Sequence, residues 1–263
     1  MRGVSAIVQK FLADRGTHLA AMIAYFALLS FVPLLFLASS LTAVFGSADD
    51  SSYLIKQLQR AFPASSVDTL EEAVKGIQSS ATLLGIIGAV ALVWTALGFF
   101  SVVESALNIV YGLPNRPFIR QKLVVLSLTA AGLAVLFLAL VIGSVGGSLA
   151  QDAGVAGGIL GWVWGIALST ALVFGVVWSI YTLLTNVRIG WRETLPGAIV
   201  AALLLEASFQ VLPVFVRATQ DLATLQAFGS LALLLVWIYV MANVLVLGAE
   251  VNWYLARGRA PSS

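Results

Sequence analysis

The sequence predicts an all-α membrane protein: a polytopic bundle of six transmembrane helices, with an N-terminal interfacial helix and a two-helix extracytoplasmic cap. Two observations carry that class. Hydrophobic residues make up 60% of the 263-residue chain and charged residues 10%, whereas a water-soluble domain carries about 25% charged residues. So little charge cannot coat a globule facing water, and lipid is the solvent that fits. Long apolar runs such as 123–149 are also unbroken. They exceed the ~20 residues that span a bilayer core as a helix, and they lack the alternation of a barrel strand. Helices follow because lipid offers no partner to free backbone groups.

Taken in order, residues 1–17 form the interfacial element. Val4, Ile7, Val8, Phe11 and Leu12 recur at helical spacing, with Arg2, Lys10 and Arg15 off that stripe, which suits a helix lying in the membrane surface. No small-residue cleavage site follows a short apolar core, so this segment is not read as a signal peptide. The spans are expected at 18–45, 81–111, 120–149, 159–186, 194–217 and 225–255. Pro33 interrupts the first, near Tyr25 and Ser30, and predicts a bent helix able to line a cavity. The hydrophilic segment 46–80 repeats Leu54, Leu58 and Phe62 before Pro63, then Val67, Leu70, Val74 and Ile77. It reads as two short amphipathic helices capping one mouth. Gly143 and Gly147, then Gly157, Gly161 and Gly165, fall four apart, a spacing that lets helix backbones approach closely.

Loop charge sets the orientation. With the N-terminus inside, Arg2, Lys10, Arg15, Arg116, Arg120, Lys122, Arg188, Arg192, Arg257 and Arg259 are internal, and Lys56, Arg60, Lys75 and Arg217 external; ten and four account for the 14 basic residues. The positive-inside rule then places both termini in the cytoplasm and 46–80 outside.

Several chemistries drop out. There is no cysteine and a single histidine, His18, so thiolate chemistry and a multi-histidine metal site are excluded. No metal, cofactor or enzymatic activity is expected. The basic residues form no stripe, which speaks against nucleic acid as a partner, and the Gly-rich 143–161 lacks the lysine of a phosphate-binding loop.

Function is sought where polarity is costly. A charged side chain at a span centre costs about 2.5–3.5 kcal/mol on insertion scales. Glu104, Glu206 and Glu250 fall inside the expected spans. Asn108 follows Glu104 by one turn, Gln210 follows Glu206 by one turn, and Asn243 precedes Glu250 by two, so each shares its acid's face. Together with Tyr25 and Ser30 these residues form a candidate polar pathway open to the cytoplasm. Arg116, Arg120, Arg188 and Arg192 are candidate contacts for anionic headgroups. The competing reading pairs each acid for packing alone and leaves the arginines to set topology.

With these residues in view, the chain resembles the YihY/BrkB family of bacterial inner-membrane proteins. The resemblance lies in Ala24 to Pro33 of the first span, Trp94-Thr95-Ala96, Glu104, Ala106-Leu107-Asn108, Tyr111 and Arg116-Pro117-Phe118. It continues through Asn186-Val187-Arg188, Trp191-Arg192-Glu193, Pro196-Gly197-Ala198, Gly229-Ser230-Leu231, Trp237, Gly248-Ala249-Glu250 and Asn252. Thr185 stands where members often carry proline. The resemblance implies six spans, the bacterial plasma membrane and both termini inside. It implies no settled activity: members have been labelled ribonuclease BN or linked to export of lipid-linked envelope precursors. The leading expectation is a transporter or flippase of a lipid or amphipathic envelope component. Its partners would be membrane lipids and a lipid-linked precursor, with the oligomeric state left open. A non-transporting envelope scaffold and an ion or proton-coupled channel are the alternatives. A ribonuclease is disfavoured because metal-dependent phosphodiester hydrolysis needs clustered ligands.

Overall fold

The computed structural model describes residues 2–45, 81–117, 119–132, 134, 154–186, 190–219 and 223–257. Every regular element among them is an α-helix: α1 (Arg2–Ala13), α2 (Gly16–Phe45), α3 (Ala81–Tyr111), α4 (119–132), α5 (Gly154–Leu183), α6 (Trp191–Thr219) and α7 (Ala223–Arg257). Five of these coincide within a few residues with expected spans. The third expected span, 120–149, starts on α4, and most of it lies outside the described residues, as do the expected cap at 46–80 and Gly143 and Gly147.

Among the described residues, three stretches are long and apolar enough to cross a membrane: Ile86–Tyr111, Trp191–Val211 and Leu234–Ala256. Only about a third of each is buried against the protein (28%, 33% and 33%). Their outward faces carry Trp94, Val90, Ile86, Leu203 and Val236 in the open, an apolar surface that water would not tolerate. Pro33, where a bend is expected, lies inside α2, which runs through it as one helix. Just before the proline, the Ser30 hydroxyl donates to the Phe26 carbonyl at 2.9 Å, a local bond often found where a helix adjusts around a proline.

Two turns position the site. Arg15 adopts a left-handed φ of 55° between α1 and α2, and its carbonyl accepts the first N–H groups of α2, from His18 and Leu19. Gly16 follows because a Cβ there would fall inside the Phe11 ring. At the end of α3, Gly112 takes φ 67°. The Leu113 N–H donates to Asn108 O at 2.7 Å and the Gly112 N–H to Ile109 O at 3.0 Å, the paired bonds of a Schellman cap. The cap turns 113–117 back along α3, and this reversal returns Arg116 to Glu104.

The chain forms two compact units. One comprises Met1–Ala20, Phe100–Ala207 and Ala242–Ser263; the other comprises Ala21–Phe99 and Ser208–Met241. In the first, Val103, Leu107, Val110, Tyr181, Leu184, Ala198, Ala201, Val246 and Ala249 are buried. Here α6 and α7 touch backbone to backbone: a Cβ on Gly197 would strike the Gly248 carbonyl and the Asn252 side chain. Tyr181 seals the contact by donating its hydroxyl to Leu245 O at 2.6 Å. In the second unit, the Phe26 ring lies on Gly98 where any Cβ would collide with it, and Ile23, Ala24, Leu92, Ala96 and Trp237 are buried.

Candidate functional site

Polar side chains concentrate in the first unit, among the last turns of α3 and α7. Glu104, Asn108 and Glu250 have no solvent exposure, and Asn252 has 1%. Buried polar groups are ordinarily bonded, so the partners define what each does.

Glu104 and Asn108 sit one turn apart on α3 and organise two loops. Glu104 Oε1 accepts from the Arg116 N–H at 3.2 Å and lies 3.5 Å from its guanidinium. That guanidinium donates to the carbonyls of Leu183, Leu184 and Thr185 at 2.8, 2.5 and 2.6 Å. These are carbonyls that a helix end leaves without intrahelical partners, and a cation there also meets the negative end of the α5 dipole. Asn108 Oδ1 accepts from the Asn186 N–H at 3.0 Å, and its Nδ2 donates to Asn115 Oδ1 at 2.9 Å. Asn186 in turn donates to Pro114 O at 2.7 Å. The pieces 113–117 and 183–186 are thereby tied together and to α3.

Glu250 on α7 is held differently. The Lys10 ammonium from α1 lies 3.6 Å from Glu250 Oε2, pairs with Asp14, donates to Val110 O at 3.0 Å and stands 4.3 Å over the Trp253 ring. Neither Glu250 oxygen accepts a hydrogen bond among the described residues, and Glu104 Oε2, Tyr111 OH and Asn252 Nδ2 are likewise left over. Tyr111 lies beside the Asn252 carboxamide and within electrostatic reach of Glu250 and Glu193. The Asn252 Oδ1 accepts from the Gly197 N–H at 2.6 Å.

The remaining predicted residues lie elsewhere. Glu206, 8% exposed, accepts from the Ser169 hydroxyl at 3.2 Å. Asn243 belongs to the first unit and is half-buried, while Gln210 belongs to the second and is exposed. Tyr25 and Ser30 are also in the second unit, and Tyr25 is exposed, edge-on to Phe26 at 5.4 Å. Arg120 is exposed, Arg192 lies 4.9 Å over the Trp191 ring, and Arg188 is outside the described residues. Sequence reasoning missed Lys10, Asp14 and Tyr111 as members of the polar cluster. One signal was available, since Lys10 and Asp14 are an i,i+4 pair of opposite charge off the apolar stripe of α1. No group of three or more potential metal ligands occurs among the described residues.

Long apolar helices around a buried polar cluster define an α-helical membrane protein. The chain belongs to the family named Virulence factor BrkB, which it matches over residues 7–263. It is 26% identical to the ribonuclease-like protein YfkH of Bacillus subtilis, covering 96% of this chain and 94% of that one. It is also 26% identical to UPF0761 membrane proteins of Psychromonas ingrahamii, over 89% of this chain and 80% of the relative, and of Aeromonas salmonicida, over 97% and 89%. No solved structure matches it.

Proposed function

We propose that this chain is a six-span protein of the bacterial plasma membrane, with cytoplasmic termini and the 46–80 cap outside, that moves a lipid or other amphipathic envelope component across the bilayer. One observation carries the reading: Glu250 is fully buried in an apolar helix, and neither of its oxygens accepts a hydrogen bond among the described residues. A carboxylate kept in such a place is expensive, and in membrane proteins intramembrane acids mark paths for ions and polar groups. Tyr111 lies within electrostatic reach of Glu250 and beside the Asn252 carboxamide, so a polar headgroup entering there would meet a hydroxyl as well as the carboxylate. Arg120 and Arg192 are exposed and are the proposed contacts for an anionic headgroup. RNA cleavage forms no part of the reading, since the sequence has one histidine and the ribonuclease name belongs to the Bacillus relative.

The test is lipid scrambling in proteoliposomes, with Glu250→Gln, Glu206→Gln and wild type at matched incorporation. Loss of scrambling in Glu250→Gln is expected; equal rates in all three would remove the acids from any path. The Arg116 network favours a second reading, a scaffold without transport, because it ties Glu104 and Asn108 into holding loops. In that case deletion of 46–80 abolishes an envelope phenotype and Glu250→Gln leaves it intact. A dissipated ion gradient without lipid movement would instead point to a channel.

A further inference from the structure

The α1 helix is oriented the wrong way round for a helix docked on a water-soluble core. Its large apolar stripe, Val4, Val8 and Leu12, is exposed at 70%, 46% and 63%. The face turned to α7 carries Gly3, whose Cβ position lies 3.4 Å from the Tyr254 hydroxyl, and Lys10. At 100° per residue, Gly3 and Lys10 share one face, and Val8 and Leu12 lie nearly opposite. The stripe suits the membrane interface, so lipid holds α1 on one side and the lysine holds it to the protein on the other.

What the lysine enters is a cage with the chemistry of an ammonium receptor. It has a buried carboxylate in Glu250, a second carboxylate in Asp14, a backbone carbonyl from Val110 at 3.0 Å and an indole face from Trp253 at 4.3 Å. Carboxylate, carbonyl and aromatic face are the groups that recognise cationic nitrogen. The lysine meets Glu250 at ion-pair distance. It stops 3.6 Å from Glu250, and both oxygens of that carboxylate accept no hydrogen bond among the described residues. A free ammonium, without a four-carbon tether fixing its approach, could aim an N–H at each.

We infer that the Lys10 ammonium is a tethered occupant of a binding site for a primary ammonium group, and that a ligand carrying that group competes with α1 for Glu250, Val110 and Trp253. This deepens the transport reading by naming the chemistry of the headgroup, but its test is a binding measurement independent of transport. Two sources share the chemistry, an aminophospholipid headgroup at the depth of α1 and a small soluble amine.

The experiment uses the full chain in phosphatidylcholine nanodiscs and follows thermal unfolding. Lys10→Ala empties the cage and leaves Glu250 unpaired, lowering the midpoint by roughly 5 °C. Ethylammonium chloride recovers more than half of that loss, whereas sodium chloride and tetramethylammonium chloride at matched ionic strength recover none. Recovery in discs containing phosphatidylethanolamine, without soluble amine, identifies the lipid as the source; recovery by ethylammonium alone identifies a soluble amine. Lys10→Gln serves the same titration if the alanine variant does not fold. Absence of recovery by either amine overturns the site, as does equal recovery in Lys10→Ala/Glu250→Gln or an equal shift in wild type. A rescued variant in a protein that moves no lipid would retain the site and sink the transport reading; a failed rescue beside active scrambling would do the reverse.

Discussion

Glu104 and Glu250 invite comparison. Each is a fully buried carboxylate near the end of a long apolar helix, and in the sequence the two look interchangeable. Their partners separate them. Glu104 is met by Arg116 of the loop that follows its own helix, through both the backbone N–H and the guanidinium, and that guanidinium is anchored on three further carbonyls. Glu250 is met by one flexible side chain from the opposite end of the chain, at ion-pair rather than hydrogen-bond distance. The first carboxylate is bonded through Oε1 into a network in which loss of Arg116 leaves several groups unpaired. The second has, among the described residues, one cationic partner on a removable side chain. Burial is the same for both acids; the origin and multiplicity of their partners are what differ.

Several measurements would break or sharpen this contrast. The largest effect is expected at Arg116→Ala, which leaves Glu104 buried without its cation and three carbonyls at the end of α5 without donors. About 3–5 kcal/mol of stability should be lost, read by denaturant unfolding in detergent micelles. Arg116→Lys should restore little of it, because a point donor cannot reach three carbonyls as a planar fork does. A mild phenotype at Arg116 would erase the distinction between the two acids. Gly197→Ala comes next, since its new methyl group meets the Gly248 carbonyl and overpacking of this kind costs about 1–3 kcal/mol; the same unfolding experiment reads it. Glu250→Gln should cost about 1 kcal/mol, as Lys10 keeps Asp14 and Val110, while scrambling is lost. The smallest change is expected at Glu206→Gln, below about 1 kcal/mol, because the amide oxygen can still accept from Ser169. A loss at Glu206 as large as at Arg116 would mean that depth, not network membership, ranks these acids.

Much of the helical plan was legible beforehand. Apolar run length anticipated helices close to α2, α3, α5, α6 and α7, because an apolar run must pair its own backbone groups. Glu104, Asn108 and Glu250 were visible because polarity inside an apolar run is conspicuous, and helical spacing put Asn108 on the Glu104 face. The role of Arg116 was not visible. It reads as one more basic loop residue until α5 is known to end at Leu183 with its carbonyls in reach. Thr185, noted as a departure from the expected proline, contributes its own hydroxyl to Tyr181 O at 2.7 Å and its carbonyl to Arg116. That carbonyl is the one group a proline would also supply. Lys10 looked like a solvated charge on an interfacial helix, since nothing local reveals that Glu250 lies across from it.

The sequence by itself determined that this protein belongs in a membrane, that its segments there are helical, and where charge is paid a penalty for staying. Those properties follow from composition and period, which act within one segment. Only the tertiary structure decided which helix ends meet, that Arg116 turns inward to cap α5, and that Lys10 rather than a neighbouring arginine answers Glu250. Pairings of that kind depend on the left-handed turns at Arg15 and Gly112 and on the Gly197–Gly248 contact, which bring residues distant in sequence to hydrogen-bonding range.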